Sequence, residues 1–486
     1  MVASEAAPFC KTGGLADVLG ALPAALKQHG DEVAVVLPAY QVNRYSTPLR
    51  EVWRNLWIPL LGAGVVCDVY EAVENGVPFF FVDCPPLYGR NGIYADQNGD
   101  FGDNDYRFAV LSLAALGVAR HLFRPEIFHC HDWQTALLPL YLRENFRNDP
   151  TFWGAKCVFT IHNLGYQGDF DAGILPYIAV DGRLFHPGQI ERNGRVNYMK
   201  AGIHFSDAVT TVSPRYAQEI QTPEFGFGLD GYLREQNKLS GILNGVDYSE
   251  WNPETDPHIA RNYSATDLSG KRDCKRALLA EFGFPESVID RPLIGIVSRF
   301  ADQKGFDLIG ETGEWLLGRN DVTLIVLGSG ERRYEDMFNY FAAAHSDKAR
   351  AWIGHNNALA HRIEAGADMF LMPSLYEPCG LNQMYSMRYG TIPVVRRTGG
   401  LADSVQHFDP ATGTGTGCVF NDFDAPAVIW GVRTALEWFG NENAWGRLMQ
   451  NAMAEDFSWN TSAAEYAKLY TAARAARNQK PVITSN

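Results

Sequence analysis

Short apolar runs alternate with longer amphipathic stretches along almost the whole sequence. Most of the short runs are continuously apolar, which is typical of parallel strands that are covered on both faces. Alternating strands and helices predict parallel sheets with right-handed crossovers. The predicted strands are 33–38, 79–83, 126–130, 156–161 and 207–212 in the first half, and 239–243, 293–298, 322–328, 368–372 and 392–395 in the second.

The longer stretches between these runs carry apolar residues at helical spacing. The predicted helices are 15–28, 105–121, 305–317, 358–366, 382–389 and 460–476. The last of these helices is long enough to pack back across the first half of the chain.

A six-residue sequence occurs twice, once in each half of the chain. Residues 12–17 and 398–403 both read TGGLAD, and each copy leads from a strand-like stretch into a helix pattern. Both copies place two glycines where backbone N–H groups at the start of a helix could meet an anion. An identity of six residues can also arise by chance, but it supports two halves of similar construction.

These patterns predict an α/β protein with two doubly wound, Rossmann-like domains that face a cleft, because such sheets bind ligands at the ends of their strands. Periodicity fades over 245–260, where Pro, Asp and Asn collect, and the domain join is expected there. The predicted domains are residues 1–244 and 245–456. Residues 457–486 are predicted as a C-terminal helix that packs back on the first domain.

Composition and charge narrow the range of partners. Hydrophobic residues make up 46% of the chain and charged residues 20%, which is ordinary globular usage. The formal net charge is −14, which argues against a nucleic-acid partner, because binding to phosphate backbones needs a basic face. A few well-placed cations could still bind a small anionic ligand.

The eight cysteines form no CxxC pair, so no zinc-knuckle or redox spacing is present. Several lie in apolar runs, which favours a reducing cytoplasm over a disulfide framework. The sequence shows no signal segment, no transit peptide and no apolar run long enough to span a bilayer. Residues 1–5 resemble the end of a strand, which indicates either a missing upstream strand or a start site placed a few codons late.

Cations and glycines at three places could bind a phosphate. Two glycines follow Lys11, where backbone N–H groups could approach an anion, although a plain tight turn that caps the helix at 15–28 is the better explanation of this motif taken alone. Arg299 and Lys304 follow a predicted strand, where a diphosphate would lie. Glu377 precedes Gly380 at a predicted helix start and could bind two sugar hydroxyls. Neither the P-loop nor the dinucleotide glycine pattern is present.

Polar residues also end two strands of the first half. Asp132 follows one strand within the sequence HCHDW, and His162 and Asn163 follow the next. His and Cys alternate along the first of these strands, so their side chains divide between two faces and do not form one metal site. Asp132 and His162 are therefore predicted as polar groups in a cleft, although satisfied polar residues at strand ends remain the alternative.

Taken together, these segments resemble the bacterial glycogen synthase family, the ADP-glucose-using branch shared with plant starch synthases. The resemblance implies a two-domain GT-B fold and an enzyme that transfers glucose from ADP-glucose to the non-reducing end of an α-1,4-glucan with retention, using no metal or other cofactor. Glycogen or a maltooligosaccharide would be the acceptor. The matching segments are KTGGLADV, CHDWQ, TIHNLGYQG, VSPRYAQEI, LNGVD, SRFADQKGFD, EPCGLNQMY and RRTGGLADSV.

The resemblance assigns donor binding to motifs in the second half. Arg299 and Lys304 would bind the diphosphate and offset charge on the leaving ADP. Glu377 would hold glucose hydroxyls, and the backbone N–H groups of Gly380 and Leu381 would cap a phosphate.

The same resemblance assigns the glucose and acceptor side to the first half. Asp132, His162 and Asn163 would line it, with Asn244 nearby and Tyr94 as an acceptor contact. The predicted catalytic residues across both halves are Asp132, His162, Arg299, Lys304 and Glu377.

Lys11, Gly14 and Asp17 would close over the nucleotide sugar when the domains approach each other. His355 stands where relatives carry a Tyr, and its imidazole would stack on the adenine. Tyr385 stands where broader relatives place a second glutamate, so ribose recognition must differ.

The expected mechanism is a front-face transfer, in which ADP leaves toward the two cations and its phosphate accepts the proton of the acceptor hydroxyl. A covalent intermediate would instead need a carboxylate behind the anomeric carbon. Two alternatives to the bacterial enzyme are a plant-type soluble starch synthase with the same chemistry and a catalytically silent glucan-binding relative. An NAD-dependent dehydrogenase lacks support, because the glycine fingerprint is missing.

Overall fold

The computed structural model describes residues 1–41, 47–60, 62 and 64–475, so residues 476–486 of the predicted C-terminal segment lie outside the described residues. The chain divides into two compact units. The N-terminal unit contains Met1–Val212, Ala217–Gly245 and the chain from Trp459 onward, and the C-terminal unit contains Ser213–Tyr216 and Val246–Ser458. The domain boundaries assigned from the sequence stay a prediction.

The N-terminal unit contains a large sheet in two four-stranded parts, ordered β2-β3-β4-β1 and β7-β8-β12-β13, and two smaller sheets. All pairs in the second part are parallel. The strands are β1 Val35–Pro38, β2 Arg50–Ile58, β3 Val65–Glu74, β4 Val77–Asp83, β5 Ala95–Asp96, β6 Gly99–Asp100, β7 Ile127–His131, β8 Lys156–Ile161, β9 Asp169–Phe170, β10 Glu191–Arg192, β11 Arg195–Asn197, β12 Ala208–Thr211 and β13 Leu239–Gly241.

The first residues of the chain join the two parts of this large sheet. Val2 forms parallel bridges to both Val36 of β1 and Cys130 of β7. Its backbone N–H donates to the carbonyl of His129 over 2.9 Å, and its carbonyl accepts from His131 N–H over 3.2 Å. Residues 1–3 therefore occupy a central position in the sheet.

The sequence did not predict the antiparallel pairs β2–β3 and β3–β4. Strands β2 and β3 mix exposed and buried positions instead of forming a continuous apolar run. This mixture arises because part of their surface faces solvent, as is common in antiparallel strands. A search for continuous apolar runs therefore passes over them.

The C-terminal unit has one six-stranded, fully parallel sheet, ordered β16-β15-β14-β17-β18-β19. This is the order of a doubly wound sheet, with a topological switch point between β14 and β17. The edge strands β16 and β19 were not predicted. The strands are β14 Leu293–Phe300, β15 Thr323–Gly330, β16 Ala349–Ile353, β17 Met369–Met372, β18 Ile392–Arg396 and β19 Cys418–Phe420.

Helices cover the sheets of both units, and all six predicted helices are present at close to the predicted bounds. No helix among the described residues is long and apolar enough to cross a membrane. The helices are α1 Gly14–Gln28, α2 Pro85–Tyr88, α3 Asn104–His121, α4 Leu137–Arg143, α5 Tyr198–Phe205, α6 Pro214–Glu219, α7 Asp230–Gln236, α8 Ser269–Glu281, α9 Phe306–Gly313, α10 Arg332–Ala344, α11 Asn357–Gly366, α12 Asn382–Arg388, α13 Gly399–Ser404, α14 Ala425–Phe439, α15 Glu442–Ala454 and α16 Trp459–Ala475.

Helix α16 completes the core of the N-terminal unit. Trp459, Tyr466 and Tyr470 are buried with apolar residues of α1, β1 and β4. A Cβ atom on Gly245 would lie 2.6 Å from the Cα atom of Trp459, so only glycine permits this approach. The Ser462 hydroxyl donates to the carbonyl of Leu243 over 2.6 Å. Helix α16 is thus built into the unit that precedes the C-terminal unit in sequence.

Three stacked rings fill the interior of the C-terminal unit beside α11 and α12. Trp251 lies between His361, at 3.8 Å, and Tyr385, at 4.0 Å, with nearly parallel ring planes. His361 Nδ1 lies 2.8 Å from Asp256 Oδ2. Burial lowers the pKa of His361, but the carboxylates of Asp256 and Glu250 outweigh it and raise this pKa to about 8.

We expect His361 to make the stability of the protein depend on pH. Its folded pKa lies above the usual 6.5, so the stabilisation is fully present below about pH 6.5 and is lost as pH rises through about 8. This shift corresponds to up to about 2 kcal/mol. Urea unfolding of the wild type and His361→Gln should therefore show a free-energy gap that shrinks between about pH 6 and about pH 9. Parallel pH profiles of the two proteins would contradict this assignment.

Candidate active site

In the N-terminal unit, polar residues gather at one edge of the sheet. Asp132 follows β7 directly, His162 and Asn163 follow β8, and Asn244 lies three residues beyond the end of β13. Because β7, β8, β12 and β13 are parallel, their carboxyl ends meet at the same edge. The sequence predicted these four residues as one group, and the fold places all of them on this edge.

The carboxylate of Asp132 holds the chain that follows β8. Its Oδ1 accepts the backbone N–H of His162 over 2.7 Å, and the N–H of Asn163 also donates to this carboxylate. Asp132 has φ +57°, which is uncommon for a residue with a side chain and is a source of strain. Burial raises the pKa of Asp132 to about 7, against these two hydrogen bonds.

The side chains of His162, Asn163 and Asn244 differ in how they are held. His162 Nε2 lies 3.0 Å from Nδ1 of the neighbouring His131, and burial lowers the pKa of His162 to about 3. Asn163 Oδ1 accepts the N–H of Gly165 over 2.9 Å. Asn244 is buried, and its Oδ1 finds no hydrogen-bond partner among the described residues.

The first glycine pair lies in a loop that a buried carboxylate holds. The backbone N–H of Thr12 donates to Glu5, and the Thr12 hydroxyl donates to both carboxylate oxygens of Glu5 at 3.0 Å. Lys11 Nζ pairs with Asp17 Oδ1 at 2.5 Å on the surface of this loop. Gly14 is the first residue of α1. The loop thus brings the predicted residues Lys11, Gly14 and Asp17 together.

Glu5 also binds the hydroxyl of Tyr94. The Tyr94 hydroxyl donates to Glu5 Oε1 over 3.1 Å and lies 2.6 Å from the Ser4 hydroxyl. The sequence prediction included Tyr94 but missed Glu5. The available signal was its position, because a carboxylate directly after a short central strand lies where parallel sheets collect their ligands.

In the C-terminal unit, a cavity of about 160 Å³ opens at the carboxyl ends of β14 and β17. This is the topological switch point, the place where doubly wound sheets bind ligands. All five residues that the sequence assigned to the donor diphosphate and sugar line this one cavity. They are Arg299, Lys304, Glu377, Gly380 and Leu381.

Glu377 is the buried anion of this cavity, with a relative exposure of 5%. Lys304 Nζ donates to Oε1 over 3.0 Å and to Oε2 over 2.8 Å. The hydroxyl of Ser374, which the sequence prediction missed, donates to Oε2 over 3.0 Å. Burying a carboxylate is costly unless it is paired, so the ammonium and the hydroxyl together offset the cost of placing Glu377 inside the cavity.

The second glycine pair supports the loop that carries Glu377. Gly400 N–H donates to the carbonyl of Glu377 over 3.0 Å. A Cβ atom on Gly399 would lie 1.9 Å from that same carbonyl oxygen, and one on Gly400 would lie 2.0 Å from the carbonyl oxygen of Cys379. The expectation that both glycine pairs offer N–H groups to an anion is therefore wrong for Gly400, since a protein carbonyl occupies that N–H group.

Two of the binding residues predicted in the C-terminal unit do not line its cavity. His355 is exposed and follows the edge strand β16 by two residues. Tyr385 is buried in the ring stack with Trp251. Across the described part of the chain, no group of three His, Cys, Asp or Glu side chains is arranged to hold a metal ion.

Residues 1–235 match the family model described as the starch synthase catalytic domain, and residues 281–447 match that of glycosyl transferases group 1. The chain is 49% identical to a glycogen synthase of Koribacter versatilis, over 99% of both chains. It is 46% identical to glycogen synthase 1 of Geobacter metallireducens, over 97% of this chain and 95% of that one.

A solved structure is also similar over nearly the whole chain. It is the catalytic domain of starch synthase IV from Arabidopsis thaliana bound to ADP and acarbose. The TM-score is 0.90 at 35% identity, and the match covers 98% of this chain and 99% of that chain. The similarity confirms the predicted fold class, two Rossmann-like domains of the GT-B type.

We expect Gly400→Ala to destabilise the C-terminal unit, because the added methyl group would overlap the carbonyl oxygen of Cys379. Overpacking of this kind costs about 1–3 kcal/mol. Gly446→Ala is the matched control, because a Cβ atom there meets no atom within 4 Å and the residue lies inside α15. Urea unfolding should show a loss for the first variant and no loss for the second. Equal midpoints would disprove the proposed close approach.

Proposed function

The chain belongs to the glycogen and starch synthase family of glycosyltransferases, and we propose that it transfers glucose from ADP-glucose to the non-reducing end of an α-1,4-glucan with retention. The family uses a nucleotide-sugar donor and a glucan acceptor. The observation that carries the proposal is the joint placement of Arg299, Lys304 and Glu377 around one cavity at a switch point. Glycogen or a maltooligosaccharide is the proposed acceptor, and the predicted cytoplasmic location remains a prediction.

The proposed donor site divides the work among these three residues. Arg299 and Lys304 bind the diphosphate and stabilise the charge that develops on the leaving ADP. Glu377 accepts hydrogen bonds from hydroxyls of the glucose. Lys304 carries three N–H donors, so it can keep its bond to Glu377 while it contacts a phosphate oxygen. The backbone N–H groups of Gly380 and Leu381 are proposed to contact the same diphosphate.

The ADP moiety is the finer part of the donor proposal. The related Arabidopsis structure is bound to ADP, which supports adenine here. His355 is exposed at the end of β16, where its ring is accessible for stacking on a base. Tyr385 is proposed to affect ribose binding only indirectly, by supporting the residues around it, since its ring is stacked on Trp251.

The proposed sugar and acceptor site lies at the sheet edge of the N-terminal unit. His162, Asn163 and the unpaired oxygen of Asn244 offer polar groups to sugar hydroxyls. Lys11 in the loop before α1 and Asp17 in the first turn of α1 are proposed to approach the donor. Tyr94 is proposed as an acceptor contact through its ring, because Ser4 and Glu5 bind its hydroxyl.

We propose a front-face transfer. The bond between the anomeric carbon and the phosphate oxygen breaks, ADP leaves toward Arg299 and Lys304, and the acceptor hydroxyl forms the new bond on the same face. Its proton passes to the departing phosphate. Asp132 supports this scheme, because its carboxylate holds the backbone N–H groups of His162 and Asn163 and thus acts through position.

The first test measures ADP release from ADP-glucose with glycogen as acceptor. Arg299→Ala should lower kcat/KM by about 100- to 1,000-fold, the cost of losing one charge-stabilising donor. Arg332→Ala is the matched control, because its side chain is 91% exposed on α10. Release that is independent of glycogen, or equal in the two variants, would refute the proposal. Turnover with UDP-glucose alone would overturn the ADP assignment and direct attention to His355.

A second test separates the front-face scheme from a covalent intermediate on Asp132. Asp132→Asn keeps an oxygen that can accept the two backbone N–H groups, so we expect it to retain activity with retention of configuration. Asp132→Ala should lose activity by about 100-fold or more, because the segment after β8 loses its anchor. An inactive Asn variant, or a glucosyl adduct on Asp132 in Glu377→Ala, would overturn the scheme.

A further inference from the structure

His131 is a fully buried residue that the proposed reaction has not yet used. It is the last residue of β7, next to Asp132, and its relative exposure is 0%. Its Nδ1 lies 3.0 Å from Nε2 of His162, which faces it from the end of β8. Its Nε2 finds no hydrogen-bond partner in the part of the chain that the structure describes. Within that part, the side chain of His131 makes its one hydrogen bond to His162.

The neighbouring side chain of His129 does not form a hydrogen bond with either His131 or His162. His129 lies against His131 with ring centroids 4.1 Å apart. Both nitrogens of His129 are already engaged, Nδ1 with the Tyr470 hydroxyl at 2.7 Å and Nε2 with the Thr160 hydroxyl at 2.6 Å. Besides burial, His129, His162 and the amine of Met1 also lower the pKa of His131, because a positive charge on any of them would repel a charged His131 ring. His129 therefore cannot satisfy the free nitrogen of His131.

Burial lowers the pKa of both His131 and His162, so both rings are neutral near pH 7. A neutral imidazole has one N–H donor and one acceptor nitrogen. In one arrangement His131 Nδ1–H donates to His162 Nε2, and His131 keeps an unpaired acceptor. In the other, His162 donates, and His131 keeps a buried, unpaired N–H. A buried orphan N–H is the rarer and costlier case, which favours His131 as the donor.

We propose that His131 is a positioning residue that fixes His162 in the tautomer with its proton on Nδ1. His162 then presents an N–H donor to a hydroxyl oxygen of the transferred sugar. This inference rests on the proposed function for the sugar contact, whereas the tautomer itself is a property of the protein alone. His131 also restrains the ring of His162 against rotation, since the bond between the two rings has a fixed direction.

The tautomer is measured directly by NMR on protein labelled with [15N]histidine. Multiple-bond 15N–1H spectra report which ring nitrogen carries the proton, and His162→Gln assigns the signal. We expect His162 to be protonated on Nδ1 in the wild type. A wild-type His162 with its proton on Nε2, or with a charged ring, would overturn the proposal.

Two variants at position 131 separate the hydrogen bond from packing. The amide NH₂ of His131→Asn can donate near the place of Nδ1–H, whereas His131→Leu fills the space without a donor. We expect the Asn variant to keep the Nδ1–H tautomer and most of the activity. The Leu variant should show mixed tautomers and a kcat/KM about 5- to 12-fold lower, which is the upper part of the range expected for losing one neutral hydrogen bond. Equal losses in the two variants would contradict the proposal.

A double-mutant cycle shows whether His131 acts through His162. In a His162→Ala background, His131→Leu should lower kcat/KM by less than about threefold, because the contact it supports is already gone. His129→Asn is the control for damage to the core, since His129 bonds Tyr470 and Thr160 instead of His162. The fold-loss of kcat/KM caused by His129→Asn should be the same in the wild-type and His162→Ala backgrounds. A full loss from His131→Leu in the His162→Ala background would show a merely structural role.

The outcomes distinguish this inference from the proposed function. If wild-type protein has the Nδ1–H tautomer but transfers no glucose, the proposed function fails and the tautomer assignment stands. If it transfers glucose while His162 carries its proton on Nε2, the proposed function stands and the role of His131 fails.

Discussion

The burial of one carboxylate is the constraint on which the C-terminal unit depends. Glu377 can lie inside an apolar sheet edge only because Lys304 and Ser374 supply donors to it. Lys304 reaches it from the turn after β14, and the two glycines at 399 and 400 let another loop approach the backbone of Glu377. Lys304, Ser374 and the two glycines therefore all contribute to the same result, which is the burial of Glu377.

The N-terminal unit solves the same problem without a cation. Asp132 is held by two backbone N–H groups, and its burial leaves the pKa near neutrality. Glu5 likewise accepts from Thr12 and Tyr94, and burial raises its pKa as well. One unit therefore pairs its buried carboxylate with an ammonium group, whereas the other uses buried carboxylates to hold backbone N–H groups. This contrast fits the proposed division between a donor side that binds phosphate and a sugar side that binds hydroxyls.

Much of this could be predicted from the sequence, because continuous apolar runs mark buried parallel strands and motifs mark their carboxyl ends. All ten predicted strands exist, and the five residues predicted to bind the donor share one cavity. The hairpin β2–β3 was not predicted, because its strands face solvent in part. Glu5, Ser374 and His131 were not predicted, because each is recognised only through its hydrogen-bond partner in the folded protein. For Tyr385, the sequence position alone could not reveal that its ring is stacked on Trp251.

Helix α16 has a consequence for how the protein is made. The N-terminal unit is divided in the sequence, because α16 is synthesised after the C-terminal unit. Until the ribosome has released Trp459 to Tyr470, apolar side chains of α1 and β1 lack their cover. The C-terminal unit, which lies between the two segments in sequence, can finish its sheet earlier. The N-terminal unit therefore exposes apolar surface while the C-terminal unit is being synthesised.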